Sequence, residues 1–64
     1  MHELLTPTDV SRILGVPEKT LAHWRTQRTG PMFLRVGVNV RYRPDDLEAW
    51  IQQRLDEARA WMAS

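Results

Sequence analysis

Apolar residues near the start of the chain recur at helical spacing. Val10, Ile13 and Leu14 stand at i, i+3 and i+4 with polar residues between them. Thr6-Pro7 is a helix start, because threonine caps and proline at the first helical position gives up no needed hydrogen bond. Asp9 in the first turn suits the positive end of the helix, and Leu5 before the cap is placed to staple onto it. Gly15 is suited to end the helix in a left-handed conformation, and Val16, preceding Pro17, is pushed out of the helical region. The pattern predicts a helix over 7–14 and a tight turn.

A second helix is predicted over 17–27, opened by Pro17. Leu21 and Trp24 point to the core, Ala22 fits either face, and Lys19, Thr20, His23 and Thr26 lie on the other side. Thr29-Gly30-Pro31 breaks it. From Met32 to Arg43 the pattern changes to alternation and predicts a hairpin. Leu34, Val36, Val40 and Tyr42 are expected to face inward and Arg35, Arg41 and Arg43 outward, around a Gly37-Val38-Asn39 bend. Pro44-Asp45-Asp46-Leu47 then starts a final helix over 44–62, whose stripe is Leu47, Trp50, Ile51, Leu55, Ala58, Trp61 and Met62. At about 1.5 Å per residue that helix is long for so small a body, so its C-terminal end is expected to project.

Composition narrows the class. A chain of 64 residues makes one domain with a limited core, and with no cysteine it has no disulfide or thiolate metal site to support it. No apolar run approaches the about 20 residues of a membrane span. The start Met1-His2-Glu3-Leu4-Leu5 lacks the basic, apolar pattern of a signal peptide, so a cytoplasmic, nucleoid-associated location is expected. His2 and His23 are the only histidines, and no metal-ligand cluster or glycine-rich phosphate loop occurs. Asp45-Asp46 reads as a helix start rather than a catalytic pair. Neither an enzyme nor a cofactor is expected.

Charge changes the picture more. The net charge of +1 hides a polar distribution: residues 1–43 sum to +4 and residues 44–64 to −3. From Lys19 to Arg43 there is no acidic residue and there are six basic ones, Lys19, Arg25, Arg28, Arg35, Arg41 and Arg43. Such polarity orients a small protein on a polyanion. A helix, a glycine turn and a second amphipathic helix with short polar and basic groups on its free face form the arrangement that enters a major groove, with flanking cations fixing register on phosphates. The sequence thus predicts an α+β, mainly helical fold over 1–64: a winged helix-turn-helix with a two-stranded wing and a C-terminal helix.

The order and spacing of several pieces sharpen this. They are Leu5-Thr6-Pro7, Val10-Ser11, Leu14-Gly15-Val16, Thr20-Leu21-Ala22-His23-Trp24-Arg25, Gly30-Pro31, Arg35-Val36-Gly37, Val40-Arg41-Tyr42-Arg43 and Asp46-Leu47-Glu48-Ala49-Trp50-Ile51. Over residues 4–53 the chain resembles the small winged-helix excisionase family, related to MerR-type DNA-binding domains. That family includes recombination directionality factors of phages and integrative elements, and AlpA-like regulators. The resemblance implies a recognition helix at about 17–27 and a wing at 35–43 on double-stranded DNA. It places base contacts at Lys19, Thr20, His23 and Thr26, while Arg25, Arg28, Arg35, Arg41 and Arg43 are the phosphate candidates. It also implies binding to repeated attachment-region sites, DNA bending, neighbouring copies on the DNA, and a tyrosine or serine integrase as partner.

Other readings stay open. A small transcriptional regulator would use the same fold. A protein-interaction adaptor or antitoxin would instead use the stripe of Leu55, Ala58, Trp61 and Met62, which either packs back on the hairpin or docks a neighbouring copy or an integrase. Trp24, Tyr42 and Trp50 have the chemistry to stack on single-stranded bases, but their spacing puts them on core faces. The wing tip carries no basic side chain, unlike that of many relatives of the family.

Overall fold

The computed structural model describes residues 3–63; His2, one of the two histidines noted above, lies outside them. The elements run α1 (Pro7–Leu14), α2 (Glu18–Gln27), β1 (Leu34–Val36), β2 (Asn39–Arg41) and α3 (Pro44–Ala63). Three helices with a two-stranded antiparallel ribbon make a small winged helix-turn-helix, α+β and mainly helical.

α1 begins in a reciprocal cap. The Thr6 hydroxyl accepts from the Asp9 amide at 3.1 Å, and the Asp9 carboxylate accepts from the Thr6 amide at 3.0 Å. Asp9 therefore does more than complement the helix dipole. Hydrogen bonding of the carboxyl to Thr6, by its backbone amide first and then by its side chain, together with Arg12 nearby, holds it below the ordinary value of 3.8. Gly15 ends the helix at φ 71°, returning its amide to the Ser11 carbonyl. Pro17 is the extended residue before α2 rather than its first helical residue, and the helix starts at Glu18. The Thr8 hydroxyl donates to Glu18 Oε2 at 3.1 Å, tying the entry of α2 to α1.

α2 stops at Arg28, which adopts the left-handed conformation at φ 58°. Gly30 follows at φ 78°, and a Cβ there would lie 2.7 Å from Trp24 Cε3. The chain thus turns tightly against the Trp24 indole, and only glycine fits.

The ribbon differs from expectation. Its register pairs Leu34 with Arg41, Arg35 with Val40 and Val36 with Asn39, so the loop is the two residues Gly37-Val38. Residues directly opposite each other share a face. Leu34 and Val36 therefore lie on the face of Arg41, and Arg35 lies on the face of Val40. The three arginines do not form one outward row, and Phe33 takes the inward place beside Tyr42 that Leu34 was expected to fill. Gly37 carries the positive φ of 65° that a tight two-residue hairpin needs at its first position; Asn39 is a strand residue without a positive φ. At the far end Leu5 pairs with Tyr42 through two backbone hydrogen bonds, which anchors the start of the chain to the ribbon.

The core is Val10, Leu21, Tyr42 and Leu47, with Leu5, Leu14, Val16, Trp24, Phe33, Val40 and Ile51 packed around it. Ile13, expected on the inner face of α1, is 47% exposed. Trp24 and Trp50 are half-buried with ring centroids 5.6 Å apart. α3 enters the core through Leu47 and Ile51, and every residue from Gln52 to Ala63 is exposed. Leu55, Ala58, Trp61 and Met62 do not pack back on the hairpin; Trp61 is 77% and Met62 78% exposed. The projecting half-helix contributes to extents of 44 × 28 × 19 Å.

Candidate nucleic-acid interface

α2 has 10 residues. At about 1.5 Å per residue it is about 15 Å long, and a helix diameter of about 10–12 Å with side chains fits a major groove about 12 Å wide. Burial of Leu21 fixes its rotation. Lys19, His23 and Thr26, at i, i+4 and i+7, then form an exposed stripe on the opposite side. Thr20 sits at the edge of that stripe and is half-buried. The Thr26 hydroxyl donates to the Ala22 carbonyl at 3.2 Å, and its oxygen keeps acceptor capacity for a ligand. Ala22 and Gln27 are exposed beside the stripe; periodicity alone left the first unassigned to a face.

The arginines fall into different settings. Arg25 turns toward the ribbon, where its Nη1 donates to the Tyr42 hydroxyl at 2.9 Å and its guanidinium lies 5.8 Å from the Phe33 ring centre. Arg28 is exposed at the end of α2. Arg35 is exposed, while Arg41 is half-buried and donates to the Val40 carbonyl at 2.7 Å. Arg43 is exposed and lies 3.4 Å from Asp46. Among the described residues, ion pairs join Arg12 to Asp9, Arg43 to Asp46, Arg54 to Glu57 and Arg59 to Asp56. Lys19, Arg25, Arg28, Arg35 and Arg41 take part in none of them. The cationic charge of α2 and the ribbon is left available, while that of α3 is internally neutralised.

A model of the helix-turn-helix domain family matches residues 4–55. The chain belongs to this helix-turn-helix family. Its ligand class is double-stranded DNA, in keeping with an exposed second helix and un-neutralised cations beside it. No curated protein and no solved structure matches the chain. The helix-turn-helix match ends at Leu55, close to where α3 leaves the core, so the projecting turns lie outside it. Among the described residues no helix is long and apolar enough to cross a membrane, and no group of three His, Cys, Asp or Glu side chains could hold a metal ion.

Two contacts beside α2 were not legible in the sequence. The Arg25–Tyr42 hydrogen bond joins residues 17 apart, and nothing in the spacing announces it. The Phe33 ring beneath Arg25 depends on the ribbon register.

Proposed function

We propose that this DNA-binding domain acts as an excisionase: it binds repeated sites in an attachment region, bends the DNA, and directs a tyrosine or serine integrase toward excision. The observation that carries the reading is the stripe of Lys19, His23 and Thr26 on a helix flanked by cations that no acid neutralises. In this reading Lys19, Thr20, His23 and Thr26 face base edges, with Lys19 donating to guanine O6 or N7. Arg25, Arg28, Arg35, Arg41 and Arg43 meet phosphates. Because Arg35 and Arg41 lie on opposite faces of the ribbon, the ribbon approaches DNA edge-on, with an arginine toward each wall of a groove.

One such module makes a small interface, so occupancy depends on several copies side by side. The exposed stripe of Leu55, Ala58, Trp61 and Met62 supplies a contact for a neighbouring copy or for the integrase. About two helical turns of stripe is small beside the about 800 Å² per partner of a standard interface. The contact therefore forms on DNA, where adjacent sites raise the local concentration.

The test is attachment-site recombination by a cognate integrase with and without the protein. Excision stimulated and reintegration suppressed is the expected result. Salt-sensitive duplex binding with no change in direction would favour a small transcriptional regulator of the same fold. Loss of any salt-sensitive binding would point to a protein adaptor.

A further inference from the structure

Tyr42 joins the core to the cationic side. It is 1% exposed, and its backbone is pinned to Leu5 by hydrogen bonds of 2.7 and 2.8 Å. Its ring lies 6.2 Å from that of Phe33, and its hydroxyl accepts the Arg25 Nη1 hydrogen bond at 2.9 Å. Arg25 thereby has two contacts, the hydrogen bond from its Nη1 and the Phe33 ring, whose centre lies 5.8 Å from its Cζ. One N–H is used, and the other donors of the guanidinium remain for a ligand. On the open side Arg25 and Arg28 line a groove of about 420 Å³ between the end of α2 and the start of the ribbon, along with Gly30, Pro31 and Phe33.

We propose that Tyr42 is a positioning residue for DNA binding: its hydroxyl aligns the Arg25 guanidinium so that the free N–H edge meets a DNA phosphate in this groove. The proposal rests on the DNA-binding reading and adds to it a defined phosphate seat. A flexible arginine loses side-chain freedom when it docks, whereas one already held loses less. A planar guanidinium also presents two parallel donors to a phosphate only when its plane is fixed. The hydroxyl can do this because the ring carrying it is buried in the core and its backbone is paired with Leu5.

Tyr42→Phe keeps the ring and removes only the hydroxyl. The expected result is a duplex affinity lower by about fivefold, equivalent to about 1 kcal/mol. The slope of log affinity against log salt should flatten by up to roughly 0.9, the share of one phosphate contact. The NMR signal of the Arg25 Nε–H should lose its order in the free protein. Arg25→Lys keeps the charge and the core tyrosine but not the fixed plane, and should bind more weakly as well. The double variant should bind no more weakly than Arg25→Lys alone. A Tyr42→Phe protein with wild-type affinity and slope overturns the proposal. So does a loss that adds in full to that of Arg25→Lys, or an Arg25→Lys protein that binds as wild type, which keeps the test decisive even if Tyr42→Phe folds poorly. Failure of the wild-type protein to bind any duplex in a salt-sensitive way is a separate outcome, and it removes the DNA-binding reading itself.

Discussion

Arg28 holds a backbone conformation that side chains other than glycine, asparagine and aspartate rarely adopt, at φ 58°. A strained arginine at the end of the exposed second helix is a candidate for function rather than for stability. Arg28→Gly is expected to stabilise the fold by a few tenths to about 1 kcal/mol in urea denaturation, while weakening binding to every duplex. A variant losing both stability and binding would assign Arg28 to the fold. Lys19, on the exposed stripe, should behave differently: Lys19→Ala should narrow the affinity gap between target and random duplexes, measured by titration of both. At the other end of the turn, Asp9 links stability to pH. Its folded carboxyl titrates below the ordinary 3.8, so between the two values the unfolded chain binds more protons. Its contribution is fully present above 3.8 and is lost as pH falls through the folded value. Thermal midpoints of Asp9→Asn should therefore fall less steeply on the acid side than those of the wild type.

Among the elements, the helices were readable because their signals are local. Thr6-Pro7, Gly15 and Pro44-Asp45-Asp46 act within a turn of where they stand, and the apolar period names the buried face of α2 through Leu21. The Thr6–Asp9 cap was only half-legible, since an aspartate three residues past a cap also suits the dipole. The ribbon was misread for a definable reason. A three-residue bend at Gly37-Val38-Asn39 would pair Val36 with Val40, whereas the two-residue loop pairs Val36 with Asn39. A shift of one residue turns every side chain of β1 to the other face. Phe33 and Leu34 are both apolar, and alternation alone does not say which goes inside; the Tyr42 ring and the Arg25 guanidinium select the aromatic. In α3 the apolar stripe runs on past the core. Ala58→Asp with Met62→Asp should leave the thermal midpoint within a few degrees and single-site affinity unchanged. It should abolish cooperative filling of adjacent sites in a gel-shift assay; unchanged cooperativity would remove the stripe from the self-contact.

For the whole molecule, the uneven charge along the chain falls on different elements. α2 and the ribbon carry cations without ion-pair partners, and α3 carries most of the acids, partly paired with its own arginines. About five phosphate contacts on B-DNA predict a slope of log affinity against log salt near roughly −4.5. A slope near zero would contradict the assignment of the whole face.

The amino-acid sequence by itself determined the helices, the glycine turn, the existence of a hairpin and the side of α2 that faces out. Each follows from neighbours a few residues apart, through backbone preference and apolar period. Only the tertiary structure decided which face of β1 turns inward and that Arg25 reaches Tyr42. Those outcomes depend on segments distant in the chain competing for the same small volume, and that competition is settled by packing rather than by local preference.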